Sequence, residues 1–331
     1  MMNLIGIDIG GTKCAVILGH LSEDGEIKII AKNSCATADY PTPDIMIPHF
    51  QDEISGLLKK QNFDIANISA IGISCGGPLD SKRGIILSPP NLSGWDDVHI
   101  VQILEKEFNI PVAIQNDANA CALAEWKFGA GRGTQNMVFL TFGTGMGAGL
   151  ILNGKLYSGT NDNAGEVGHI RLDRMGPVGY GKSGSFEGFC SGGGIAQLAR
   201  TMALEKLQMG EKVSFCKTIP ELPNISAQSV AEAANRGDAL AKKIFEECGT
   251  YLGKGLSVII DILNPECIVL GSIFVRSAHL LLKPMEKAIA EESLPLARKV
   301  CRIVPAQLEE QIGDMASLSV AANKIKPNPE K

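Results

Sequence analysis

Two glycine-rich turns carry the residue types that bind phosphate groups. Gly10–Lys13 follows the apolar stretch 3–9, and Gly143–Gly145 follows the apolar stretch 137–142. Successive backbone N–H groups in such a turn can cradle a phosphate, and each turn adds a threonine hydroxyl. A tight turn with positive φ is the ordinary explanation of a single glycine pair. Two similar turns after buried strands favour phosphate binding.

Two aspartates lie where strands end and could serve phosphoryl transfer. Asp8 ends the first strand, where it could hold Mg²⁺ through water or simply cap the turn. Asp117 stands between a strand at 111–114 and a helix at 118–128. A carboxylate in this position can accept the proton of a sugar hydroxyl during phosphoryl transfer. It would also serve as a helix N-cap, which the spacing alone favours.

A third group of polar side chains falls in a glycine-rich stretch of the chain. Glu166, His169 and Glu187 lie among loops, and two carboxylates with an imidazole suit a ligand rich in hydroxyl groups. His169 could instead be a metal ligand or an ordinary surface residue. A single histidine without nearby cysteines makes the metal site a weak hypothesis.

One further stretch, Gly176–Ser183, matches the P-loop pattern G-x-x-x-x-G-K-[ST]. A P-loop needs a buried strand before it and a helix that begins at its lysine. The preceding residues 171–175 do not form a buried strand pattern, and glycines at 184 and 188 disfavour a helix. We therefore interpret this match as accidental.

The hydrophobic pattern predicts the elements that hold these residues. Strand–turn–strand units at 3–18 and 137–152 suggest a duplicated α/β architecture. We predict one domain at 1–115, joined by a C-terminal helix at about 305–323, and a second domain at 116–304. The remaining expected elements are strands at 27–30, 70–75 and 267–270 and helices at 43–60, 97–109, 194–209, 227–247, 249–263 and 313–324.

Composition narrows the class of protein. The 331 residues carry a net charge of −5 without a basic run, which argues against nucleic-acid binding. The nine cysteines are scattered and indicate reduced thiols. The sequence shows neither a signal-peptide pattern nor an apolar stretch long enough to span a membrane. We therefore expect a cytoplasmic protein with no membrane partner.

An ordered series of motifs resembles the ROK family, whose members include sugar kinases and transcriptional repressors. The motifs are Asp8-Ile9-Gly10-Gly11-Thr12-Lys13, Gln115–Ala120, Gly143–Gly149, Gly165–His169 and Asn264–Gly271. Their order holds from residue 3 to about 323, and the ordered set is far more specific than any one motif. The resemblance implies the actin-like (ribonuclease-H-like) ATPase fold, with ATP and Mg²⁺ bound between two α/β domains.

The resemblance also implies a role for each matching residue. Asp117 would be the general base that takes the proton from the sugar hydroxyl, and Asp8 would lie near Mg²⁺. The residues expected to hold the ATP phosphates are Gly10, Gly11, Thr12, Lys13, Gly143, Thr144 and Gly145, and those bordering the adenosine are Gly271 and Ser272. The residues expected to bind the sugar, together with Asp117, are Gly77, Asn91, Asn116, Glu166, His169 and Glu187.

One loop departs from the family pattern. Family members commonly carry zinc-binding cysteines after the histidine, and the corresponding positions here are Val178, Tyr180 and Ser185. None of these side chains replaces a thiolate in a tetrahedral site, so we expect no structural zinc. Without the zinc-binding cysteines, the geometry of the sugar-binding loop is expected to differ from that of other family members.

The resemblance favours an ATP-dependent hexose kinase similar to glucokinases, acting on the sugar hydroxyl O6. Family repressors carry an added winged-helix segment before the first phosphate motif, whereas Asp8 follows only seven residues here. The alternatives are a kinase for N-acetylmannosamine, allose or fructose, and a sugar-sensing transcriptional regulator without turnover. The resemblance also implies a homodimer with a sugar as its small-molecule partner.

Overall fold

Within residues 2–325, which the computed structural model describes, the chain forms two five-stranded sheets. The strands of the first half are β1 Met2–Ile9, β2 Lys13–Leu21, β3 Ile27–Ala36, β4 Ile68–Cys75, β5 Leu79–Asp80, β6 Ile85–Ile86 and β7 Val112–Asn116. The first sheet has the order β3-β2-β1-β4-β7, and β5 with β6 forms a separate short hairpin. Strand β1 runs antiparallel to β2 and parallel to β4, and β4 runs parallel to β7.

The second sheet follows the second glycine turn. The remaining strands are β8 Met137–Phe142, β9 Met146–Leu152, β10 Lys155–Tyr157, β11 Val178–Gly179, β12 Lys182–Ser183, β13 Cys267–Leu270 and β14 Arg302–Pro305. The second sheet has the order β10-β9-β8-β13-β14, and β11 with β12 forms another short hairpin. The helices are α1 Pro43–Lys60, α2 Ile100–Phe108, α3 Asp117–Phe128, α4 Phe186–Phe189, α5 Gly192–Gln208, α6 Ala227–Asn235, α7 Ala239–Leu263, α8 Ile273–Glu292, α9 Pro295–Val300 and α10 Ile312–Ile325.

The central strand β1 is buried on both of its faces. Ile5 and Ile7 pack into a core that includes residues of α1 and α2. Leu4 packs on the opposite face, in a cluster that includes Phe128 of α3 and Leu318 of α10. Because successive side chains of a strand point to opposite faces, Asp8 shares the face of Leu4 and points toward α3 and α10.

Two paired glycines let α10 lie directly against the first sheet. Gly6 of β1 and Gly72 of β4 are neighbours in the parallel register. A Cβ atom on Gly72 would lie 2.2 Å from the carbonyl oxygen of Ser317 and 2.3 Å from the backbone nitrogen of Ala321. A Cβ atom on Gly6 would lie 2.2 Å from Oγ of Ser317. The backbone of α10 therefore occupies the space that any other residue at these positions would need.

Contacts divide the chain into two compact units. Unit 1 comprises the chain up to Met137, the segment Gly149–Ala164 and the chain from Gln307 onward, and unit 2 comprises Val138–Ala148 and Gly165–Ala306. This division differs from the boundary after residue 115 that the sequence suggested, because α3 packs against α10 within unit 1. The predicted bounds of the two domains stay a prediction.

Several predicted elements are confirmed and others need correction. Helix α1 has the predicted bounds 43–60, and the closing helix at 313–324 corresponds to α10. The predicted break between helices at residue 248 is wrong, since α7 continues through Gly249 to Leu263. A Cβ on Gly249 would lie 2.8 Å from the carbonyl oxygen of Leu281 in α8, so this glycine permits helix packing within unit 2. The chain end after residue 325 lies outside the described residues, and none of the described helices is long and apolar enough to cross a membrane.

The glycine contact under α10 predicts a large difference between two glycine-to-alanine variants. We expect Gly72→Ala to lower the free energy of unfolding by about 3 kcal/mol, because the new methyl group would displace the α10 backbone. The matched control is Gly56→Ala in α1, where a Cβ meets no atom within 4 Å. The control should instead gain about 0.5–1 kcal/mol from helix propensity. Urea denaturation of both variants checks the prediction, and equal stabilities would contradict it.

Candidate functional site

The carboxyl ends of three parallel strands meet at one edge of the first sheet. The register pairs Ile9 of β1 with Cys75 of β4, and Cys75 with Asn116 of β7. The segments that follow these residues are the turn Gly10–Lys13, Gly77 and the start of α3. Ligands of open α/β sheets bind beyond the carboxyl ends of the strands. Unit 1 therefore brings several of the predicted site residues together at this edge.

The turn Gly10–Lys13 is held by its own backbone and by Thr37. The backbone nitrogen of Gly10 donates to the carbonyl oxygen of Lys13 over 3.1 Å. Oγ1 of Thr37 donates to the carbonyl oxygen of Gly10 over 2.6 Å, and its backbone nitrogen donates to the carbonyl oxygen of Thr12 over 3.0 Å. Residues 11–13 are exposed. The turn is thus a fixed loop whose outer side is open to a ligand.

Asn91 lies beside this turn, although it comes from a distant part of unit 1. A Cβ atom on Gly11 would lie 2.7 Å from Cβ of Asn91. Both residues are exposed. The residue predicted to bind sugar and the turn predicted to bind phosphate are therefore neighbours, and Gly11 is the residue that allows this approach.

Asp8 lies in a group of carboxylates on the α3 and α10 side of the sheet. A Cβ on Gly313 would be 2.9 Å from Oδ2 of Asp8, so the aspartate lies against the first turn of α10. Burial, and then the negative charges of Asp314 and Asp117, raise the pKa of Asp8 to about 6. Asp314 itself accepts hydrogen bonds from Nζ of Lys32 at 2.5 Å and 2.7 Å. Carboxylate oxygens are ligands that Mg²⁺ prefers, and the contact of Asp8 with Mg²⁺ through water stays a prediction.

Asp117 is the first residue of α3, and its neighbour caps the helix. Oδ1 of Asn116 accepts from the backbone nitrogen of Asn119 over 2.7 Å, so Asn116 and not Asp117 is the N-cap. Oδ1 of Asp117 accepts from the backbone nitrogen of Ala118 over 2.8 Å. Asp117 is exposed, yet the surrounding protein limits its hydration and raises its pKa. The carboxylate is therefore accessible to a reactant and more basic than an ordinary aspartate.

Unit 2 gathers a second group of predicted residues around the turn Gly143–Gly145. The backbone nitrogen of Gly192, at the start of α5, donates to the carbonyl oxygen of Gly143 over 2.8 Å. A Cβ on Gly143 would lie 3.5 Å from Oγ of Ser272, and the backbone nitrogen of Gly271 donates to the carbonyl oxygen of Leu140 over 3.0 Å. The glycine turn, the start of α5 and the segment before α8 thus adjoin one another.

Glu187 connects this turn to the loop that carries Glu166 and His169. Oε2 of Glu187 accepts from the backbone nitrogen of Met146 over 3.0 Å, directly after the turn. A Cβ on Gly168 would lie 3.2 Å from Cβ of Glu187, so the segment of Glu166 and His169 passes beside it. Glu166 and His169 are exposed. Unit 2 therefore brings together the three residues predicted to bind sugar in this part of the chain.

The stretch that matched the P-loop pattern has a different structure. Lys182 lies in strand β12, not at the start of a helix, and its Nζ donates to the carbonyl oxygen of His169 over 2.7 Å. Ser185 caps α4 by accepting from the backbone nitrogen of Gly188 over 3.0 Å. The interpretation of this match as accidental agrees with this geometry. Among residues 2–325 no group of three or more histidine, cysteine, aspartate or glutamate residues could hold a metal ion.

Three residues that no sequence motif marks support the site from a distance. Asp314 and Lys32 set the charge around Asp8, and Thr37 holds the first turn. No local motif marks these residues, because their role depends on the packing of α10 and β3 beside β1. The one sequence feature that could have indicated such a role is the acidic residue Asp314 in the first turn of α10.

The raised pKa of Asp8 predicts a pH-dependent stability difference. A carboxyl whose pKa is higher in the folded than in the unfolded state stabilises the fold below the unfolded value, and this contribution is lost as pH rises through about 6. We expect Asp8→Asn to gain up to about 3 kcal/mol relative to the wild type between pH 4 and pH 7.5, in buffer without divalent cations. Urea denaturation at both pH values measures the gain. Asp52→Asn on the exposed face of α1 is the control, and an equally small pH dependence in both variants would contradict the prediction.

Comparisons with known proteins agree with the resemblance seen in the motifs. The sequence profile of the ROK family matches residues 4–323. A glucokinase of Halalkalibacterium halodurans is 31% identical over 88% of this chain and 86% of its own. A xylose repressor of Bacillus spizizenii is 29% identical over 92% of this chain and 73% of its own length.

A solved structure extends the comparison to three dimensions. The ROK family glucokinase from Streptomyces griseus, in complex with glucose and AMPPNP, matches with a TM-score of 0.73 and 29% identity. The match covers 97% of this chain and 99% of that one. The chain belongs to the ROK family and has the actin-like ATPase fold of the family's sugar kinases.

Proposed function

We propose that the protein is an ATP-dependent hexose kinase that transfers the γ-phosphate of ATP to O6 of a glucose-like sugar. The observation that carries the proposal is the position of Asp117, exposed at the start of α3 and at the sheet edge where the turn Gly10–Lys13 begins. The similarity to glucokinases, and to a structure with glucose and AMPPNP, supports it.

The proposed chemistry is a direct phosphoryl transfer. The carboxylate of Asp117 takes the proton of the sugar hydroxyl, the hydroxyl oxygen attacks the γ-phosphorus, and ADP leaves with the electrons of the broken bond. The raised pKa of Asp117 makes its carboxylate a stronger base than that of an ordinary aspartate. The work of the remaining residues is positioning and electrostatic stabilisation.

The proposal assigns the remaining predicted residues to ligands within each unit. In unit 1 the turn Gly10–Lys13 binds phosphate, and Gly77, Asn91 and Asn116 bind sugar hydroxyls. In unit 2 the turn Gly143–Gly145 binds phosphate, Gly271 and Ser272 border the adenosine, and Glu166, His169 and Glu187 bind sugar hydroxyls. Asp8 would hold Mg²⁺ through water, and the cation would offset negative charge on the phosphates.

The proposal extends to the assembly and the compartment. We propose a cytoplasmic homodimer that does not bind nucleic acid. The absence of a basic run and the nine free cysteines support the compartment and the lack of a nucleic-acid partner. Exposed apolar side chains of unit 2 around α9 support self-association: Leu294, Leu296 and Val300.

A second candidate is a sugar-sensing regulator that binds without turnover. This candidate is supported by the similarity to the xylose repressor and by the altered residues Val178, Tyr180 and Ser185. A panel of hexoses distinguishes the two. We expect ATP consumption with glucose, measured by a coupled ADP assay, to exceed that with N-acetylmannosamine, allose, fructose and N-acetylglucosamine. Turnover highest with another sugar of the panel would select one of the alternative kinases. Sugar binding by calorimetry without turnover of any member would instead support the regulator.

The base assignment predicts a selective loss of turnover. We expect Asp117→Asn to lower kcat by about 10²–10⁴-fold with less than a threefold change in the sugar KM, because the amide keeps the acceptor for Ala118 and cannot take a proton. Asp44→Asn is the matched control, since Asp44 lies in the first turn of α1. Steady-state kinetics measure both variants, and near wild-type turnover in Asp117→Asn would overturn the assignment.

A further inference from the structure

Unit 1 contains a surface cavity of about 420 Å³ that the proposed reaction does not use. It is lined by the turn between β2 and β3, the last turn of α3, the loop that follows α3 and a residue of α10. Lys127 in this lining comes ten residues after Asp117 on α3, which places it about 15 Å along the helix axis from the proposed base. Cavities of about 300–1,000 Å³ are of the size that holds small ligands.

One part of the cavity is lined by apolar side chains. Leu21, Phe128 and Ala322 line it and are buried. The indole Nε1 of Trp126 donates to the carbonyl oxygen of Thr134 over 2.7 Å, which leaves the carbon atoms of the ring for a ligand. An apolar body, such as a ring, would therefore find a preformed surface here.

Lys127 is a half-buried cation in the lining of the cavity. Nζ of Lys127 donates to Oδ1 of Asn323 over 2.9 Å, and this acceptor is a neutral amide. Nζ also lies 5.8 Å from the ring centre of Trp126. Burial lowers the pKa of Lys127 to about 8, so the ammonium has lost hydration that an anion would replace.

The rim of the cavity carries charges of both signs. Arg132 forms an exposed ion pair with Glu26 over 2.7 Å. The carboxylate of Asp24 accepts a hydrogen bond from Oγ of Ser22. The rim carboxylates would repel a ligand with several negative charges. A ligand with a single anionic group could still reach Lys127.

We propose that this cavity binds a small organic anion, with one carboxylate or phosphate group on Lys127 and an apolar ring against Trp126 and Phe128. The two acidic groups share the same chemistry toward an ammonium, and charge-assisted hydrogen bonds to Lys127 would fix either one. The site is separate from the groups assigned to phosphoryl transfer, so its occupancy is measurable whether or not the protein is a kinase.

Isothermal titration calorimetry with model anions tests the proposal. Phenyl phosphate and benzoate are the probes, and benzyl alcohol is the uncharged control. We expect the better anion to bind with a Kd of about 1 mM or tighter, and benzyl alcohol at least tenfold more weakly. The ratio of the two anion affinities identifies the preferred acidic group. Lack of binding by both anions at about 10 mM would overturn the proposal.

Variants locate the binding on Lys127. We expect Lys127→Met to weaken binding of the anion at least tenfold. Arg132→Glu on the exposed rim should weaken its binding about threefold. Lys60→Met, at the exposed end of α1, should leave the affinity unchanged. Thermal denaturation confirms that each variant folds. If Lys127→Met binds the anion like the wild type, the anion binds elsewhere and the proposal is wrong.

Discussion

The close approach of α10 to the first sheet is the contact on which the rest of unit 1 depends. Gly6 and Gly72 leave room for the backbone of α10 between Ser317 and Ala321. This contact sets the position of the first turn of α10, and with it the position of Asp314 beside Asp8. A side chain on either glycine would move the helix away from the sheet. The charges around Asp8 are therefore a consequence of backbone packing.

The same packing brings carboxylates together at the proposed site of phosphoryl transfer, and their mutual repulsion lowers the stability of the fold. Three carboxylates, those of Asp8, Asp117 and Asp314, lie near one another, and Lys32 pairs with only one of them. The fold accepts a buried acid whose pKa is raised to about 6, because the apolar core of β1 and the packing of α3 and α10 stabilise the arrangement. Destabilised groups of this kind are concentrated at functional sites, where stability is exchanged for reactivity.

Local sequence patterns were sufficient for the longer strands, the glycine turns and the existence of most helices, because hydrophobic period and turn residues act over short distances. Short strands such as β10 and β14 were not predicted. Local patterns failed where a distant partner decides the structure. A break between two helices was predicted at residue 248, yet α7 continues through it, and Gly249 makes room for α8. Asp117 was expected to cap α3, but Asn116 already supplies the cap. Asp314 acquires its role from a strand some 300 positions away in sequence, which no local pattern records.

In the loop of unit 2 that carries Val178 and Ser185, hydrogen bonds within the protein hold the local structure in place. Ser185 is fully buried and caps α4, so the helix that carries Glu187 begins at a fixed place. The backbone nitrogen of Val178 donates to Oε1 of Gln197 over 3.0 Å, and Nε2 of Gln197 donates to the carbonyl oxygen of Val178 over 2.8 Å. Because Glu187 also accepts from Met146, its carboxylate is positioned at both the helix and the glycine turn. Glu187 is thus held in place by the hydrogen bonds around it, whereas Tyr180 of the same loop is exposed.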